Sequence, residues 1–423
     1  MSQIAEPAST ATMNPSWPAR LPFYYGWVHV LLAAIAMTAT LPGRTYGFGL
    51  IKTPLCQELG IDSVRFNDIN FWAVVIGSVC VPPMGWLIDR LGVRIVLVLV
   101  TLLLGGSVIA MSRAADELEV AIGLTVIRGL GQGALSVVAI ALVGKWFRRR
   151  SGIAMGVFSV LLSLGFGPSI QLLGKTINAS GWRTGWEGMG WVLVLGLAPI
   201  GWLFARRSPE ACGVKPDEAV EETDSAPSMT LRETLLTPSF WVYSLCSATF
   251  LLTFSAMTLD NQSLLDERGL DGKDLNYKLL ALLMYTGLPS NLLAGWLARY
   301  ISLGKILGAG IIIQAASLAF FPFVATVADA RIYALILGAS SGSVTVAFFA
   351  IYGHHYGRKH LGKIQAAAQL MTVLSSAVGP VLLERWRREV GSSDPFFFTF
   401  AAITLILGIA SWFVRPPNLK KDN

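Results

Sequence analysis

Charge is scarce in this chain. Asp, Glu, Lys and Arg make up 14% of its 423 residues, against 53% hydrophobic residues and a mean hydropathy of +0.58. A soluble domain carries about 25% charged residues, so a water-soluble enzyme is excluded. Cysteine is nearly absent: Cys56, Cys80, Cys212 and Cys246 stand far apart, with neither a disulfide framework nor metal-ligand spacing. The four histidines (His29, His354, His355 and His360) form no spaced metal cluster either, and no metal site is expected. No G-x-x-x-x-G-K-[ST] loop occurs, which argues against an ATP-driven pump. Paired intramembrane carboxylates and a nucleophile with its base are also missing, so no catalytic residue and no cofactor are expected. The first 20 residues lack the charged-then-apolar pattern of a cleaved leader and read as a polar tail.

What the chain has is long apolar runs, each sufficient to cross a hydrocarbon core of roughly 30 Å. Twelve segments are predicted, at roughly 24–51, 68–88, 93–112, 118–145, 151–175 and 185–205, then 238–262, 275–298, 303–327, 330–355, 361–386 and 394–414. An acidic, Pro-containing stretch at roughly 207–236 separates the two groups of six and reads as a solvated linker. The expected organisation is a tail (1–20), a six-helix bundle (21–206), the linker (207–236), a second bundle (237–414) and a terminal tail (415–423). Of the 33 Lys and Arg residues, 19 fall on the side that holds both termini and the linker. The positive-inside rule makes that side cytoplasmic, in a multi-pass protein of the cell (inner) membrane. The net charge of +7 is thus topology and implies no nucleic-acid partner.

The chain also repeats itself. Gly85-Trp86-Leu87 returns as Gly295-Trp296-Leu297, 210 residues on. Trp146-Phe147-Arg148-Arg149-Arg150-Ser151-Gly152 returns loosely as Tyr356-Gly357-Arg358-Lys359-His360-Leu361-Gly362 at the same offset, and Gly167-Pro168 as Gly379-Pro380 at 212. Two parallel six-helix repeats are the layout of transporters that rock one half against the other around a midplane site.

These residues carry a resemblance. Gly85-Trp86-Leu87-Ile88-Asp89-Arg90-Leu91-Gly92-Val93-Arg94 resembles the signature loop of the major facilitator superfamily. Arg128-Gly129-Leu130-Gly131-Gln132-Gly133 is similar to its second motif; Gly156, Gly165, Gly167 and Pro168 are similar to its third. The resemblance spans roughly 24–414 and implies an all-α membrane protein of twelve transmembrane helices in two six-helix bundles. It further implies that Asp89, with Arg90 and Arg94, serves gating and not substrate binding, and it adds Gly167 and Pro168 to the conformational set. Tyr25-Gly26-Trp27, Pro42-Gly43-Arg44, Lys145-Trp146-Phe147-Arg148-Arg149-Arg150 and the segment from Tyr356 to Gly362 resemble the monocarboxylate transporter and oxalate/formate antiporter group. In the monocarboxylate branch a helix-1 lysine engages substrate, and Arg44 falls close to it. That branch also carries an Asp/Arg pair in helix 8, and the oxalate/formate branch an Arg in helix 8 and a Lys in helix 11. Here segment 8 holds only Lys278, at its outer edge, and segment 11 has no charge through its middle.

Charges inside the membrane cost about 2.5–3.5 kcal/mol at a helix centre, so each needs a reason. Arg128 either holds the first bundle together or faces the cavity. Arg44 lies about 25 Å beyond Trp27 at 1.5 Å per residue. It either snorkels to the outer headgroups or presents its planar fork to an anion in the cavity. The cavity reading draws on the neighbours Pro42, Gly43 and Tyr46, because a broken helix there frees polar groups that only a cavity or partner satisfies. Asp260 ends segment 7 as a solvated helix end, a proton-coupling site or a partner for Arg44. Asn261, Gln262, Tyr285, Asn291 and Gln369 are the uncharged candidates for completing a substrate site. The expectation is a monomeric secondary transporter for a small anionic solute, monocarboxylate-like, working by proton symport or exchange. A carrier of inorganic anions or amphipathic solutes, and a non-transporting sensor on the same scaffold, are the alternatives.

Overall fold

A computed structural model describes residues 22–147, 150–207, 209, 212, 229–270, 273–357 and 360–417. Among them the regular structure is entirely helical, as expected where hydrocarbon leaves every backbone group to be satisfied within its own segment. The first span is two helices in series, α1 (Gly26–Thr38) and α2 (Thr45–Leu59), joined through a 3-10 turn at Leu41–Gly43. The second is likewise divided, into α3 (Ser63–Gly77) and α4 (Pro82–Leu91). Then follow α5 (Val93–Met111), α6 (Glu117–Gly144), α7 (Ser151–Ser180) and α8 (Trp182–Phe204). The second half opens with the short α9 (Leu231–Leu235), held by a Thr230/Glu233 capping box. Its spans are α10 (Pro238–Leu259), the short extension α11 (Asn261–Glu267), α12 (Lys273–Leu297), α13 (Leu303–Phe320), α14 (Val327–Tyr356), α15 (Leu361–Val390) and α16 (Asp394–Phe413). Ten of these helices are long and apolar enough to cross a membrane, and the two divided spans bring the number to twelve.

The repeat is visible in matching environments. Trp86 of α4 and Trp296 of α12 both stand exposed. Trp146 and Tyr356 are both buried at the ends of α6 and α14. Each joins an aromatic cluster that pins a span of its own half: Trp146 stacks on His29 of α1 at 4.2 Å, and His355, beside Tyr356, stacks on Tyr243 of α10 at 5.7 Å.

The sequence pattern and the structure differ most in the first span. The apolar run stops at Ile51, because Lys52, Thr53, Pro54 and Gln57 follow, and the predicted segment ended there. The helix nevertheless continues to Leu59, with Lys52 only 2% exposed. Arg44 therefore sits near the middle of the span, at its break, and not toward its outer end. The predicted segment 7 (238–262) also divides, with Asp260 between α10 and α11.

The halves meet mainly where α2 packs on α10, α3 on α15 and α7 on α12, and α2 also touches α11 and α12. Polar contacts between them gather at one end, the end remote from Tyr24 and Met229. There Lys52 pairs with Asp260, Arg385 with Asp68 at 3.0 Å and Arg388 with Asp62 at 3.0 Å. Asn276 donates to the Gly49 carbonyl at 3.3 Å, and Asn178 to Asp274 at 3.0 Å. Backbones also touch: a side chain at Gly49 would collide with the Thr258 carbonyl. This far end is closed.

Candidate functional site

The site is built around the break in the first span. Thr40 and Pro42 lead into the 3-10 turn, and Arg44 takes an extended conformation (φ −92°, ψ 153°) before α2 starts. Such a break leaves carbonyls and N–H groups without helical partners. Facing it, α6 widens into π-helical turns over Arg128–Leu135, the glycine-rich stretch of the second motif. π-turns of this kind recur at functional sites. The glycines explain how close the two irregular segments come. An ideal Cβ on Gly43 would lie 2.8 Å from the Gln132 nitrogen and the Ile127 oxygen, and 2.9 Å from Gly131 Cα. No larger residue fits without moving backbone.

Arg128 fills the space that this arrangement creates. It is buried, donates to the Gly43 carbonyl at 3.1 Å, Thr45 Oγ1 at 3.2 Å, Gln132 Oε1 at 3.0 Å and Asn70 Oδ1 at 2.5 Å, and lies 4.9 Å over the Phe48 ring. Its charge ties the broken helix to α3 and α6. Of its two sequence readings, the surroundings are those of a scaffold.

Arg44 is held differently. Its Nε donates to Thr40 Oγ1 at 2.9 Å, and Nη2 contacts Ser136 Oγ at 2.9 Å and Met37 Sδ at 3.1 Å. The residue is half-buried. Among the described residues no carboxylate lies within ion-pair distance of it, and Nη1 has no hydrogen-bond partner. Tyr46 is half-buried two residues on, packed edge-to-face on Phe166 of α7 at 5.4 Å. Arg44 and Arg128 thus place two guanidinium groups about one break, with only neutral oxygens and a thioether around them.

The remaining expected ligands do not all come together there. Asp260 is fully buried: it pairs with Lys52 of α2 and not with Arg44, and it is no solvated helix end. Asn67 of α3 donates to both of its oxygens, at 3.4 and 3.3 Å, and to the Pro380 carbonyl at 3.0 Å. Asn261 is buried and donates to Asn276 at 2.7 Å, whereas Gln262 donates to Asp266 of its own helix at 2.7 Å and lines a far-end cavity with Thr53, Glu58 and Asn178. Lys52 is the residue that the sequence reading missed, having been assigned to an outer loop. A charge ending an apolar run before the span reaches full length is the pattern that marks it.

Tyr285 of α12 is exposed, with its ring against Gly167 of α7 where the halves meet, and Pro168 beside it is exposed. Asn291 is half-buried next to the close crossing of α12 and α14 at Gly342. Gln369 of α15 is exposed. Of the gating candidates, Asp89, Arg90 and Arg94 lie at the near end, in the first half. Asp89, at the end of α4, faces Lys145 at the end of α6 across 3.5 Å. Arg90 lies over Trp86 at 5.1 Å, and Arg94 over Trp202 at 4.1 Å. Gly92 turns the loop with φ +87°, a conformation that suits glycine.

The sequence profile of the Major Facilitator Superfamily matches residues 23–380. The chain belongs to the Major Facilitator Superfamily. It is therefore a multi-pass membrane transporter and not an enzyme. The "Oxalate:formate antiporter" of Oxalobacter formigenes is 25% identical over 413 residues, covering 92% of this chain and 91% of the antiporter. The "Probable nitrate/nitrite antiporter NarK1" of Thermus thermophilus is 28% identical over 180 residues, 42% of this chain and 37% of its own. Among solved structures, a bacterial homolog of the human lysosomal transporter Spinster superimposes with a TM-score of 0.66 at 15% identity, covering 92% of this chain and 94% of that one. That superposition shows the major facilitator fold.

Proposed function

We propose that this major facilitator protein carries a small organic anion of the monocarboxylate type by alternating access, with Arg44 as its main anion ligand. One observation carries the reading: a half-buried guanidinium at the middle of a membrane span, with no carboxylate in reach among the described residues. An unpaired charge in that position is expensive unless it faces an aqueous cavity and meets a counter-ion in use. The guanidinium offers a fork that a carboxylate matches, with bonds roughly twice as strong as neutral ones. Tyr46, Tyr285, Asn291 and Gln369 supply neutral polar groups for the rest of the solute. The full-length similarity to an oxalate:formate antiporter supports a carboxylate. Nitrate, another planar oxyanion, is the second reading, supported by the partial similarity to a nitrate/nitrite antiporter.

Exchange is the favoured mode. The carboxylate expected to take up a proton, Asp260, is held by Lys52 and Asn67 and has no link to Arg44. Proton symport would appear as uptake driven by a pH gradient without internal substrate. The proposed setting is the cell (inner) membrane, with both termini cytoplasmic and the closed far end facing outward, so that the carrier is poised toward the cytoplasm.

The test is uptake of labelled oxalate, formate and nitrate into proteoliposomes preloaded with the same anions. Arg44→Ala is expected to abolish exchange. Arg44→Lys keeps the charge but loses the fork, so affinity should fall at least tenfold while some transport persists. Normal exchange by Arg44→Ala would sink the assignment, and binding without exchange by the unaltered protein would favour a sensor.

A further inference from the structure

We propose that Lys52 is a second anion ligand, used only when the far end is open, and that Asp260 takes the anion's place when that end closes. The inference rests on the anion-carrier reading and goes beyond it by naming a site that the closed conformation conceals.

The argument starts from what holds Asp260. Its carboxylate is seated between the Lys52 ammonium and the Asn67 amide, both from the first half, while Asp260 itself comes from the second. Lys52 and Asp260 are 2% and 0% exposed. Alternating access requires the halves to part at this end. Lys52 and Asn67 then leave together as a cradle of N–H donors, next to the Phe66 ring 5.8 Å from the ammonium. Asp260 departs on the other half, and Glu384 departs with it, bonded to its own neighbour Arg387 at 3.4 Å. The first half keeps a cation whose counter-ion has gone.

Opening puts water where the Asp260 carboxylate now sits against the ammonium, and a charge-assisted bond to a soluble anion restores what the ammonium has lost. The closed structure displays which chemistry fits: a carboxylate, the group that Asp260 presents now. Lys52 is eight residues beyond Arg44 along continuous α2, about 12 Å at 1.5 Å per residue. An anion entering from the far end meets Lys52 first and Arg44 next. When the halves close, the Asp260 carboxylate re-enters the cradle and displaces the anion inward. External anion therefore favours the open far end, because it binds a cation that only this state exposes.

Cys56, one turn beyond Lys52 on α2 and half-buried in the closed state, reports on opening. Protein with Cys80, Cys212 and Cys246 replaced by serine is reconstituted, and Cys56 is labelled from the far side with a membrane-impermeant thiol reagent. External oxalate or formate is expected to raise the labelling rate several-fold. Exchanging the charges, Lys52→Asp with Asp260→Lys, keeps an ion pair across the gap but leaves an anion-repelling group on the first half. Labelling should then no longer respond to oxalate, and external half-saturation should rise at least tenfold. The neutral pair Lys52→Gln with Asp260→Asn checks the result should the exchanged pair fold poorly, and it should lose the response as well. If the starting protein responds and either double variant responds equally, Lys52 is only a latch and the inference is overturned. Transport by the starting protein without any labelling response overturns it too. If oxalate, formate and nitrate are neither transported nor affect labelling, the anion-carrier reading itself fails.

Discussion

Arg128, Lys52 and Arg44, three cations of the first bundle, are held by different means. Arg128 is surrounded by carbonyl, amide and hydroxyl oxygens, Lys52 has a carboxylate, and Arg44 has hydroxyls and a thioether. The difference predicts different consequences of removal. Arg128→Gln strands the Gly43 carbonyl and Asn70, where hydrogen bonds to a charged group are worth about 1.5–3 kcal/mol each. Its main effect should be a lower melting temperature of the purified protein, with residual anion affinity in whatever remains folded. Arg44→Ala removes bonds only to neutral groups, and the Thr40 and Ser136 hydroxyls keep their bonds to the Met37 and Gly131 carbonyls, so its melting temperature should change little while exchange is lost. A large loss of stability for Arg44→Ala and a small one for Arg128→Gln would reverse the two roles.

At the scale of elements, two irregular segments support each other: the break at Leu41–Arg44 and the π-turns at Arg128–Leu135. Gly43 is the point of nearest backbone approach. Gly43→Ala would press its methyl onto backbone atoms that have no rotamer to change, and overpacking of this kind costs about 1–3 kcal/mol. Thermal unfolding in detergent should show that loss, together with reduced exchange as the break shifts under Arg44. At the near end, Asp89 is 81% exposed and its Lys145 partner 30%. Such pairs contribute about 0.2–1 kcal/mol to stability. Asp89→Asn should therefore leave the melting temperature almost unchanged. The same fraction of a kcal/mol, applied between two nearly balanced conformations, is enough to slow exchange measurably. The expected pattern is slower exchange with substrate affinity within about twofold of the starting protein; weak binding with normal exchange speed would contradict the gating role.

For the whole molecule, the far-end closure depends on unequal ties. Arg385–Asp68 and Arg388–Asp62 are exposed pairs of modest worth. The Lys52–Asp260 pair is the buried one, so its separation exposes charges that the closed state keeps from water. Sidedness decides which compartment this closure faces. On the proposed orientation, with both termini and the linker cytoplasmic, single cysteines engineered within 210–225 should react with impermeant reagent only in inverted or permeabilised vesicles. Labelling from outside intact cells would end this orientation.

Composition alone determined that the chain is a polytopic membrane protein, because water cannot solvate a surface with so little charge. The 210-residue repeat and the Gly-Trp-Leu and Arg-Gly-Leu-Gly-Gln-Gly motifs carried the two-bundle major facilitator fold. These patterns are local and periodic, so they survive being read in one dimension. The sequence also marked Arg44 and Arg128 as charges needing a reason. It did not tell which charge belonged with which: Asp260 was a candidate partner for Arg44, and Lys52 was placed in a loop. Pairing across 208 residues and two bundles depends on how the halves dock. That docking arises from packing of α2 on α10 and α3 on α15, which hydropathy does not encode. Only the tertiary structure could show Lys52 beside a carboxylate and Arg44 beside hydroxyls and a thioether, because a charge finds its partners among its neighbours in space.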